Sequence, residues 1–201
     1  MIAIIDYGMG NLGSVQKGFE KIGLEASITD SPAKVKNASG VVLPGVGAFS
    51  AAMDRLRTSG LDDVVREIID AGRPFLGICL GLQLLFTTGF EDGTYDGLGI
   101  FSGTVERLPS GLKVPHIGWN QVSKAGNDSL LNGIPSGSYF YFVHSYVVKP
   151  EDENIVISNT DYGGNFVSGI SKDNVHAFQF HPEKSSKIGL VLLKNFGGLC
   201  Q

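Results

Sequence analysis

Residues 74–83 read PFLGICLGLQ, an apolar run with two glycines placed around a single cysteine. Residues 75–78 predict a buried strand, and residues 80–86 predict the beginning of the helix that follows it. Cys79 therefore lies at a strand-to-helix corner, inside a Gly-x-Cys-x-Gly pattern typical of a nucleophile elbow. A sharp corner strains the backbone of the nucleophile, so the residues two positions away must be small.

Cys79 has two interpretations at such a corner. The amides at the beginning of the following helix, and the positive end of its dipole, would face the sulfur and favour its thiolate form. The alternative is a small buried core cysteine, which is the more common role of a free cysteine. The strand–turn–helix context favours the nucleophile.

Strand-like and helix-like segments alternate on both sides of this corner. Strands are predicted at residues 2–5, 25–29, 40–43 and 75–78. The spacing of apolar residues predicts helices at residues 12–22, 49–56 and 61–71. This alternation predicts an α/β fold with a mostly parallel central sheet and helices on both of its faces.

The second half of the chain consists of short strand-like segments separated by Gly, Asn and Asp turns. The predicted strands cover residues 114–122, 139–148, 155–160, 166–171 and 175–180. A closing helix is predicted at residues 186–196. Because no Pro- or Ser-rich linker and no repeat divides the chain, we expect a single domain over residues 1–201.

Composition narrows the classes of function. Of the 201 residues, 42% are hydrophobic and 18% are charged, which favours a sizeable core over disorder. The net charge of −4 and the pI of about 5.5 give no electrostatic reason to bind nucleic acid or an anionic membrane. The apolar start at residues 1–6 is short and lacks a basic leader, so it predicts a strand rather than a signal peptide.

Cysteine usage predicts the compartment. With only Cys79 and Cys200, a disulfide scaffold is not expected, and a reducing cytoplasm is the expected location. No Cys/His cluster has the spacing of metal ligands, so we expect neither a metal nor a cofactor.

His181 is the best candidate for a general base among the four histidines. It follows an apolar strand, and open α/β sheets place their active sites at the carboxyl ends of strands. Glu183 lies just beyond it. A carboxylate there can accept the imidazole Nδ1–H and leave Nε2 free to take the thiol proton. For His181-Pro182-Glu183 alone a solvated turn is the alternative, but the cysteine elbow favours catalysis.

The segment Pro44-Gly45-Val46-Gly47 directly follows the predicted strand at 40–43. Glycines after a buried strand let backbone N–H groups approach a ligand closely. Together with the Leu80 amide, these groups predict an oxyanion hole, worth roughly 3 kcal/mol per donor. The competing interpretation is a plain tight turn into the next helix. Nothing in the segment matches a Walker loop or a dinucleotide fingerprint.

Three motifs thus stand in one order, and together they resemble the class I (triad) glutamine amidotransferase family over essentially the whole chain. They are Pro44-Gly45-Val46-Gly47, Gly77-Ile78-Cys79-Leu80-Gly81-Leu82-Gln83 and His181-Pro182-Glu183. More narrowly, the chain resembles the glutaminase subunits of imidazole glycerol phosphate synthases. That likeness is carried by Asp6-Tyr7-Gly8-Met9-Gly10-Asn11, Pro44-Gly45-Val46-Gly47-Ala48-Phe49, Pro115-His116-Ile117-Gly118-Trp119-Asn120 and His181-Pro182-Glu183-Lys184-Ser185-Ser186.

The resemblance implies a flavodoxin-like α/β fold and glutamine as the nitrogen donor. Cys79 would attack the side-chain amide, His181 would protonate the departing ammonia, and Glu183 would orient His181. Water would then hydrolyse the glutamyl thioester. The family pattern assigns the amino-acid end of the substrate to four residues: Gln83, Glu91, Ser145 and Tyr146. Independently, Gln83 is one helical turn after Cys79, on the same helix face.

The resemblance also implies a partner, a separate (β/α)₈-barrel cyclase subunit that uses the ammonia. It would form imidazole glycerol phosphate and an aminoimidazole carboxamide ribotide. We expect another polypeptide to carry this activity, because such a barrel needs about 250 residues. Four residues match positions that face the partner: Asn11, Trp119, Tyr141 and Lys184. Trp119 could equally be a core residue, since aromatic residues in cores and at interfaces look alike in sequence.

Other functions stay open. A glutaminase of another amidotransferase, serving purine, pyridoxal phosphate or anthranilate synthesis, would usually differ at the oxyanion segment and after His-Pro-Glu. A stand-alone cysteine hydrolase of flavodoxin-like fold would prefer peptides or esters to glutamine. A binding module with a vestigial triad is the non-enzymatic alternative. We further expect the oxyanion peptide to rest in a non-productive orientation until the cyclase and its ligand bind.

Overall fold

The computed structural model describes residues 1–126 and 128–201. The strands in chain order are β1 Ile2–Ile5, β2 Ala26–Thr29, β3 Gly40–Gly45, β4 Phe75–Cys79, β5 Phe86–Gly89, β6 Tyr95–Asp96, β7 Phe101–Arg107, β8 His116–Lys124, β9 Ser138–His144, β10 Tyr146–Pro150, β11 Val156–Asp161, β12 Asn165–Lys172 and β13 Val175–Phe178. The helices are α1 Leu12–Glu20, α2 Pro32–Lys36, α3 Phe49–Ser59, α4 Leu61–Asp70, α5 Leu80–Gln83 and α6 Ser186–Leu199.

The central sheet has nine strands in the order β2-β1-β3-β4-β13-β12-β11-β8-β9. From β2 to β13 all neighbours are parallel, and from β13 to β9 all neighbours are antiparallel. The predicted α/β class is therefore confirmed, and the sheet is mixed. Its parallel half comes from the βαβ alternation, while its antiparallel half comes from the short strands of the second half of the chain.

Helices cover both faces of the parallel half, as the alternation predicts. Alternate side chains of each strand join different cores: Ala3 and Ile5 pack with α3 and α4, whereas Ile2 and Ile4 pack with α1 and α6. In the second core the rings of Phe19 (α1) and Phe196 (α6) lie 6.2 Å apart. Strands buried on both faces are continuously apolar, because neither face is in contact with solvent.

A second, four-stranded sheet has the order β10-β7-β5-β6 and was not predicted. The prediction that the helix after Cys79 runs on through Phe86 is wrong, because α5 ends at Gln83 and Phe86 begins β5. The carbonyl groups of Leu84 and Leu85 accept hydrogen bonds from amides of residues 98, 100 and 101 instead of from a continuing helix. Tertiary pairing overrides the local helical tendency here.

The strand predicted at 139–148 is two strands in two sheets. β9 pairs with β8 in the central sheet, and β10 pairs with β7 in the small sheet. The chain changes sheets at Ser145, between the last residue of β9 and the first of β10. The apolar pattern runs through this point without interruption, so the break is invisible to periodicity.

The sheet brings the sequence motifs to one edge. In the parallel register Gly45 of β3 lies opposite Cys79 of β4, and Phe178 of β13 lies opposite Ile78 on the other side. Strand β3 includes Pro44 and Gly45, beyond the predicted end at residue 43. In the part of the chain that the structure describes, no helix is both long and apolar enough to cross a membrane.

Candidate active site

Cys79 is the last residue of β4 and has the backbone angles φ 57° and ψ −109°. A positive φ is rare for a residue with a side chain and marks local strain, as expected for a nucleophile elbow. The flanking glycines are required by packing. A Cβ on Gly81 would collide with the carbonyl oxygen of Leu43, and one on Gly77 would lie 2.9 Å from the carbonyl oxygen of Gly81. The helix α5 that follows is only four residues long, shorter than predicted.

Polar groups surround the sulfur of Cys79 within the protein. Its Sγ lies 3.7 Å from the carbonyl oxygen of Val143, and the Nε2 of Gln179 donates to Sγ at 3.7 Å. The Oε1 of Gln179 accepts from Gln83 Nε2 at 3.1 Å. Sequence reasoning missed Gln179. The only signal for it is its position as one of two polar residues, with His176, in the otherwise apolar run at 175–180, and Gln179 is fully buried in the structure.

His181 and Glu183 form a buried pair. His181 Nδ1 lies 2.8 Å from Glu183 Oε1, and the side chains are only 3% and 1% exposed. Because a carboxylate can only accept, Nδ1 carries the proton of this bond. Burial by itself lowers the pKa of His181. Hydrogen bonding to Cys79 and Glu183, and the charges of both, outweigh burial and raise the pKa of His181 to about 10.

The Nε2 of His181 completes no hydrogen bond of standard geometry among the described residues. Cys79 is nevertheless near enough for its hydrogen bonding and charge to act on the pKa of the ring. Such bonds in catalytic sites often tighten only when substrate is bound. The backbone of His181 is fixed from two sides, since its N–H donates to Tyr141 at 2.9 Å and its carbonyl accepts from Ser185 Oγ at 2.6 Å.

The predicted oxyanion residues lie directly beside Cys79. Gly45 is packed so closely that a Cβ on it would be 2.6 Å from the Tyr7 hydroxyl and 2.9 Å from Leu80 Cβ. Gly47 has φ +95°, a conformation that favours glycine. Val46, Gly47 and Leu80 line the same cavity as Cys79. Gly45 is not among the lining residues; it is the last residue of β3 and lies opposite Cys79 in the strand register.

The cavity beside Cys79 has a volume of about 220 Å³. Its lining residues are Val46, Gly47, Cys79, Leu80, Gln83, Glu91, Pro115, Val143, His144, Ser145 and Tyr146. All four predicted substrate-binding residues are among them. Glu91 is anchored at the beginning of α3, where its Oε2 accepts from the amide of Phe49 at 2.6 Å. A larger depression of about 450 Å³, beside β11 and β12, has neither Cys nor His in its lining.

Tyr7 is a second buried neighbour that sequence reasoning missed. It appears in the string Asp6-Tyr7-Gly8, but no role was predicted for it. Its hydroxyl has no hydrogen-bond partner among the described residues. Burial, together with the charge of Cys79, raises the pKa of Tyr7.

Three of the four residues predicted to face a partner form one surface next to His181. Trp119 is 52% exposed, which excludes the core interpretation. Its ring lies 6.2 Å from that of Tyr141, and Lys184 Nζ lies 5.9 Å from the centre of the Tyr141 ring. Asn11 is exposed and precedes α1. Among residues 1–126 and 128–201, no three His, Cys, Asp or Glu side chains are grouped to hold a metal.

Sequence comparison identifies the family. The profile described as "Glutamine amidotransferase class-I" matches residues 3–197. The imidazole glycerol phosphate synthase subunit HisH of Moorella thermoacetica is 54% identical over 198 residues, covering 98% of this chain and 94% of the relative. The HisH subunit of Aquifex aeolicus is 54% identical over 194 residues, covering 96% and 94%.

Solved structures agree on the fold. A crystal structure described as a glutamine amidotransferase has a TM-score of 0.78 at 19% identity and covers 100% of this chain and 99% of its own. PurLQS from Thermotoga maritima has a TM-score of 0.76 at 18% identity, covering 100% and 98%. The expected fold and both levels of resemblance are confirmed. The chain belongs to the class I glutamine amidotransferase family and, within it, to the HisH subunits of imidazole glycerol phosphate synthase.

Proposed function

We propose that this chain hydrolyses glutamine to glutamate and ammonia and passes the ammonia to a separate (β/α)₈-barrel cyclase. The cyclase then forms imidazole glycerol phosphate and an aminoimidazole carboxamide ribotide. One observation carries the proposal: a strained cysteine at the carboxyl end of β4 lines a cavity and lies close enough to the buried pair of His181 and Glu183 to raise the pKa of His181. Membership in the HisH subunits supplies the substrate class and the need for a partner.

Cys79 is the nucleophile of this reaction. Its sulfur attacks the side-chain amide carbon of glutamine while its proton resides on His181, whose raised pKa favours the imidazolium form. His181 then gives a proton to the amide nitrogen, which leaves as ammonia, and a glutamyl thioester remains on Cys79. Water, deprotonated by His181, cleaves the thioester to glutamate and restores the thiol. Glu183 holds the ring through Nδ1 throughout.

The tetrahedral intermediates carry a negative oxygen that needs donors. The amides of Leu80 and of the segment 45–47 are assigned this role, because Leu80, Val46 and Gly47 line the cavity beside the sulfur and Gly45 lies opposite Cys79 in the strand register. The segment 45–47 changes its peptide orientation when the cyclase and its ligand bind, so the isolated subunit is a poor glutaminase. The glycine at 47, with φ +95°, supports this proposal since glycine tolerates both orientations.

The amino-acid end of glutamine is assigned to Gln83, Glu91, Ser145 and Tyr146. The carboxylate of Glu91 suits the α-ammonium group, and the backbone of Ser145 and Tyr146 offers donors and acceptors to the α-carboxylate. The side chain of Gln83 is itself held by Tyr146 and Gln179, at 3.0 and 3.1 Å, so its contribution is to shape the cavity floor.

The cyclase is proposed to bind the surface formed by Trp119, Tyr141 and Lys184. Asn11 is proposed as a fourth contact residue. Two more exposed apolar residues follow the same strands, Ile117 at 60% and Tyr139 at 54% exposure. Exposed aromatic residues next to a reactive cavity are typical of interface centres. The single domain over residues 1–201 and the cytoplasmic location stay proposals, supported by the absence of a linker and by the two cysteines.

The proposal is tested by mixing the purified chain with candidate cyclase subunits and glutamine, and measuring glutamate release. The (β/α)₈-barrel cyclase of the synthase should stimulate release strongly, and more so when its own ligand is present. A glutamine-mimicking electrophile should label Cys79 irreversibly. Stimulation by a purine or anthranilate synthase partner instead would favour another amidotransferase. Hydrolysis of peptides or esters in preference to glutamine would favour a stand-alone hydrolase.

A further inference from the structure

Two buried imidazoles take no part in the reaction described above. His116 of β8 and His144 of β9 lie opposite each other in the strand register and are 4% and 6% exposed. His116 Nδ1 lies 2.9 Å from His144 Nε2. Two ring nitrogens at this distance require one donor and one acceptor. The tautomers of the two rings are therefore coupled, because one of these two nitrogens must carry a proton and the other must accept it.

The neighbouring groups determine which nitrogen carries each proton. His144 Nδ1 lies 2.9 Å from the carbonyl oxygen of Tyr146, which only accepts, so Nδ1 is protonated. In a neutral ring Nε2 then accepts, which makes His116 Nδ1 the donor. His116 Nε2 must accept in turn, and the amide Nδ2 of Asn120 lies 3.3 Å from it. Donors therefore point in one direction, from Asn120 through His116 and His144 to Tyr146.

The environment keeps both rings neutral. Burial is the main cause, and it lowers the pKa of His144 to about 4 and lowers that of His116. The charged or titratable groups that act on His144 are His116 and His181, and both lower its pKa further. Stacking holds His116 in place, with ring centres 5.0 Å from Phe142 and 4.0 Å from Tyr162.

This series of hydrogen bonds ends at the carbonyl group of Tyr146, a residue that lines the cavity. The Tyr146 carbonyl accepts from His144 Nδ1 and also from Gln83 Nε2, at 3.0 Å. Ser145 and Tyr146 form the point where the chain leaves the central sheet for the small sheet. The small sheet holds one side of this backbone, since Tyr146 pairs with Arg107 and the Ser145 carbonyl accepts from the Leu108 amide at 2.9 Å. The two side-chain donors to the Tyr146 carbonyl connect the same backbone to β9 of the central sheet and to α5, which follows Cys79.

We propose that Asn120, His116 and His144 are positioning residues for glutamine, a neutral imidazole relay that holds the backbone of Ser145 and Tyr146 in the orientation that binds the substrate. The relay rests on the proposed function, because the cavity is taken to be the glutamine site. It touches neither the substrate nor the reacting atoms through its ring nitrogens. Its effect therefore falls on binding of glutamine and not on the chemical step.

The protonation pattern is tested first, without glutamine. In protein labelled with ¹⁵N-histidine, long-range nitrogen–proton correlation spectra between pH 6 and pH 8 should show His116 and His144 as neutral rings protonated on Nδ1. Neither signal should titrate over this range. Protonation on Nε2 in either ring, or a charged ring at pH 7, would overturn the relay while leaving the proposed function untouched.

Its role is tested by glutamine hydrolysis in the complex with the cyclase. His144→Leu should raise KM for glutamine about tenfold and change kcat less than threefold. His144→Asn keeps a donor where Nδ1 stands and should restore most of the affinity. His176→Leu is the matched control: His176 is equally buried, bonds Ser171 Oγ at 2.9 Å and lies at the beginning of β13, away from the cavity.

The outcomes separate the two hypotheses. An unchanged KM in His144→Leu, or an equal rise in His176→Leu, would show that the relay does not position the substrate. Should His144→Leu fail to fold, His144→Asn compared with His144→Ser gives the same answer, since only the first reaches the Tyr146 carbonyl. Absence of glutamine hydrolysis by the unaltered complex would instead remove the proposed function, and the positioning role with it.

Discussion

Two parts of the protein meet at Cys79 and its cavity. The nucleophile wall consists of residues 45–47 and 79–83. The histidine wall consists of residues 143–146, which line the cavity, and residues 181–183, which do not line it but are bridged to β9 through Tyr141 and His181. Adjacent parallel strands hold the nucleophile wall, with Gly45 opposite Cys79. Side-chain hydrogen bonds between distant parts of the chain help to hold the histidine wall, such as those from Gln83 to the Tyr146 carbonyl and from the Tyr141 amide to Ser185 Oγ. Where backbone pairing holds a wall, substitutions are disruptive mainly at the closely packed glycines. Where side-chain hydrogen bonds hold a wall, the loss of any one polar contact can disturb it.

The largest expected effect is at the sulfur of the nucleophile wall. Cys79→Ser should lower glutamine hydrolysis in the complex by roughly 10³-fold or more, because the hydroxyl is a far weaker nucleophile here. Glutamate release is the measurement. Cys200→Ser, which changes the second free cysteine near the carboxyl terminus, should leave the rate unaltered. Equal losses in both variants would remove Cys79 from the mechanism.

The next effect is on the histidine wall. Glu183→Gln should lower kcat by roughly 10²–10⁴-fold, since the amide can donate to Nδ1 and turn the ring to the wrong tautomer. The KM for glutamine should change little. A kcat within a factor of three of the unaltered chain would mean that Glu183 does not orient His181.

Packing of the nucleophile wall predicts a large loss of stability. Gly81→Ala should lower the free energy of unfolding by about 3 kcal/mol, because its Cβ would meet the Leu43 carbonyl oxygen. Gly13→Ala is the contrast. It lies within α1 with open space around a Cβ, so it should raise stability by up to about 1 kcal/mol. Urea denaturation measures both, and a similar change in the two variants would contradict the close packing at Gly81.

The histidine wall predicts a dependence of stability on pH. The unfolded chain binds a proton at His144 near its ordinary pKa of 6.5, while the folded chain does so only near 4. Between these values the unfolded state holds more protons, so stability falls as pH falls, by up to about 3 kcal/mol in total. Urea denaturation at pH 7 and pH 4.5 should show a smaller loss in His144→Asn. Equal losses would place the acid sensitivity elsewhere.

The smallest effect concerns the surface beyond the histidine wall. Trp119→Ala should weaken association with the cyclase by about 2 kcal/mol, because a large exposed ring at an interface centre is lost. The stability of the isolated chain should change by less than about 0.5 kcal/mol. Leu199→Ala is the control, since Leu199 is 38% exposed and ends α6. The next residue, Cys200, packs against Gly40 at the amino-terminal end of β3, the end away from Cys79. Calorimetric titration of each variant with the cyclase distinguishes them.

The sequence by itself determined what depends on neighbouring residues. The apolar runs of β1 and β4, the elbow at Cys79 and the two-residue spacing of His181 and Glu183 were all predicted, because backbone geometry and side-chain periodicity act over a few residues. The glycine pattern at 45–47 belongs to the same class. These features account for the nucleophile wall and for one pair of the opposite wall.

Only the tertiary structure decided the rest. These features are the small sheet, the change of sheets at Ser145, and the contacts of Tyr7, Gln179 and His116. They depend on residues far apart in sequence, from Phe86 pairing with Phe101, 15 residues away, to Gln179 contacting Cys79, 100 residues away. Strand periodicity is the same whichever sheet a strand joins, so it cannot show where the chain changes partners. A buried polar side chain likewise gains its role from the groups that surround it, and those are set by packing between distant parts of the chain.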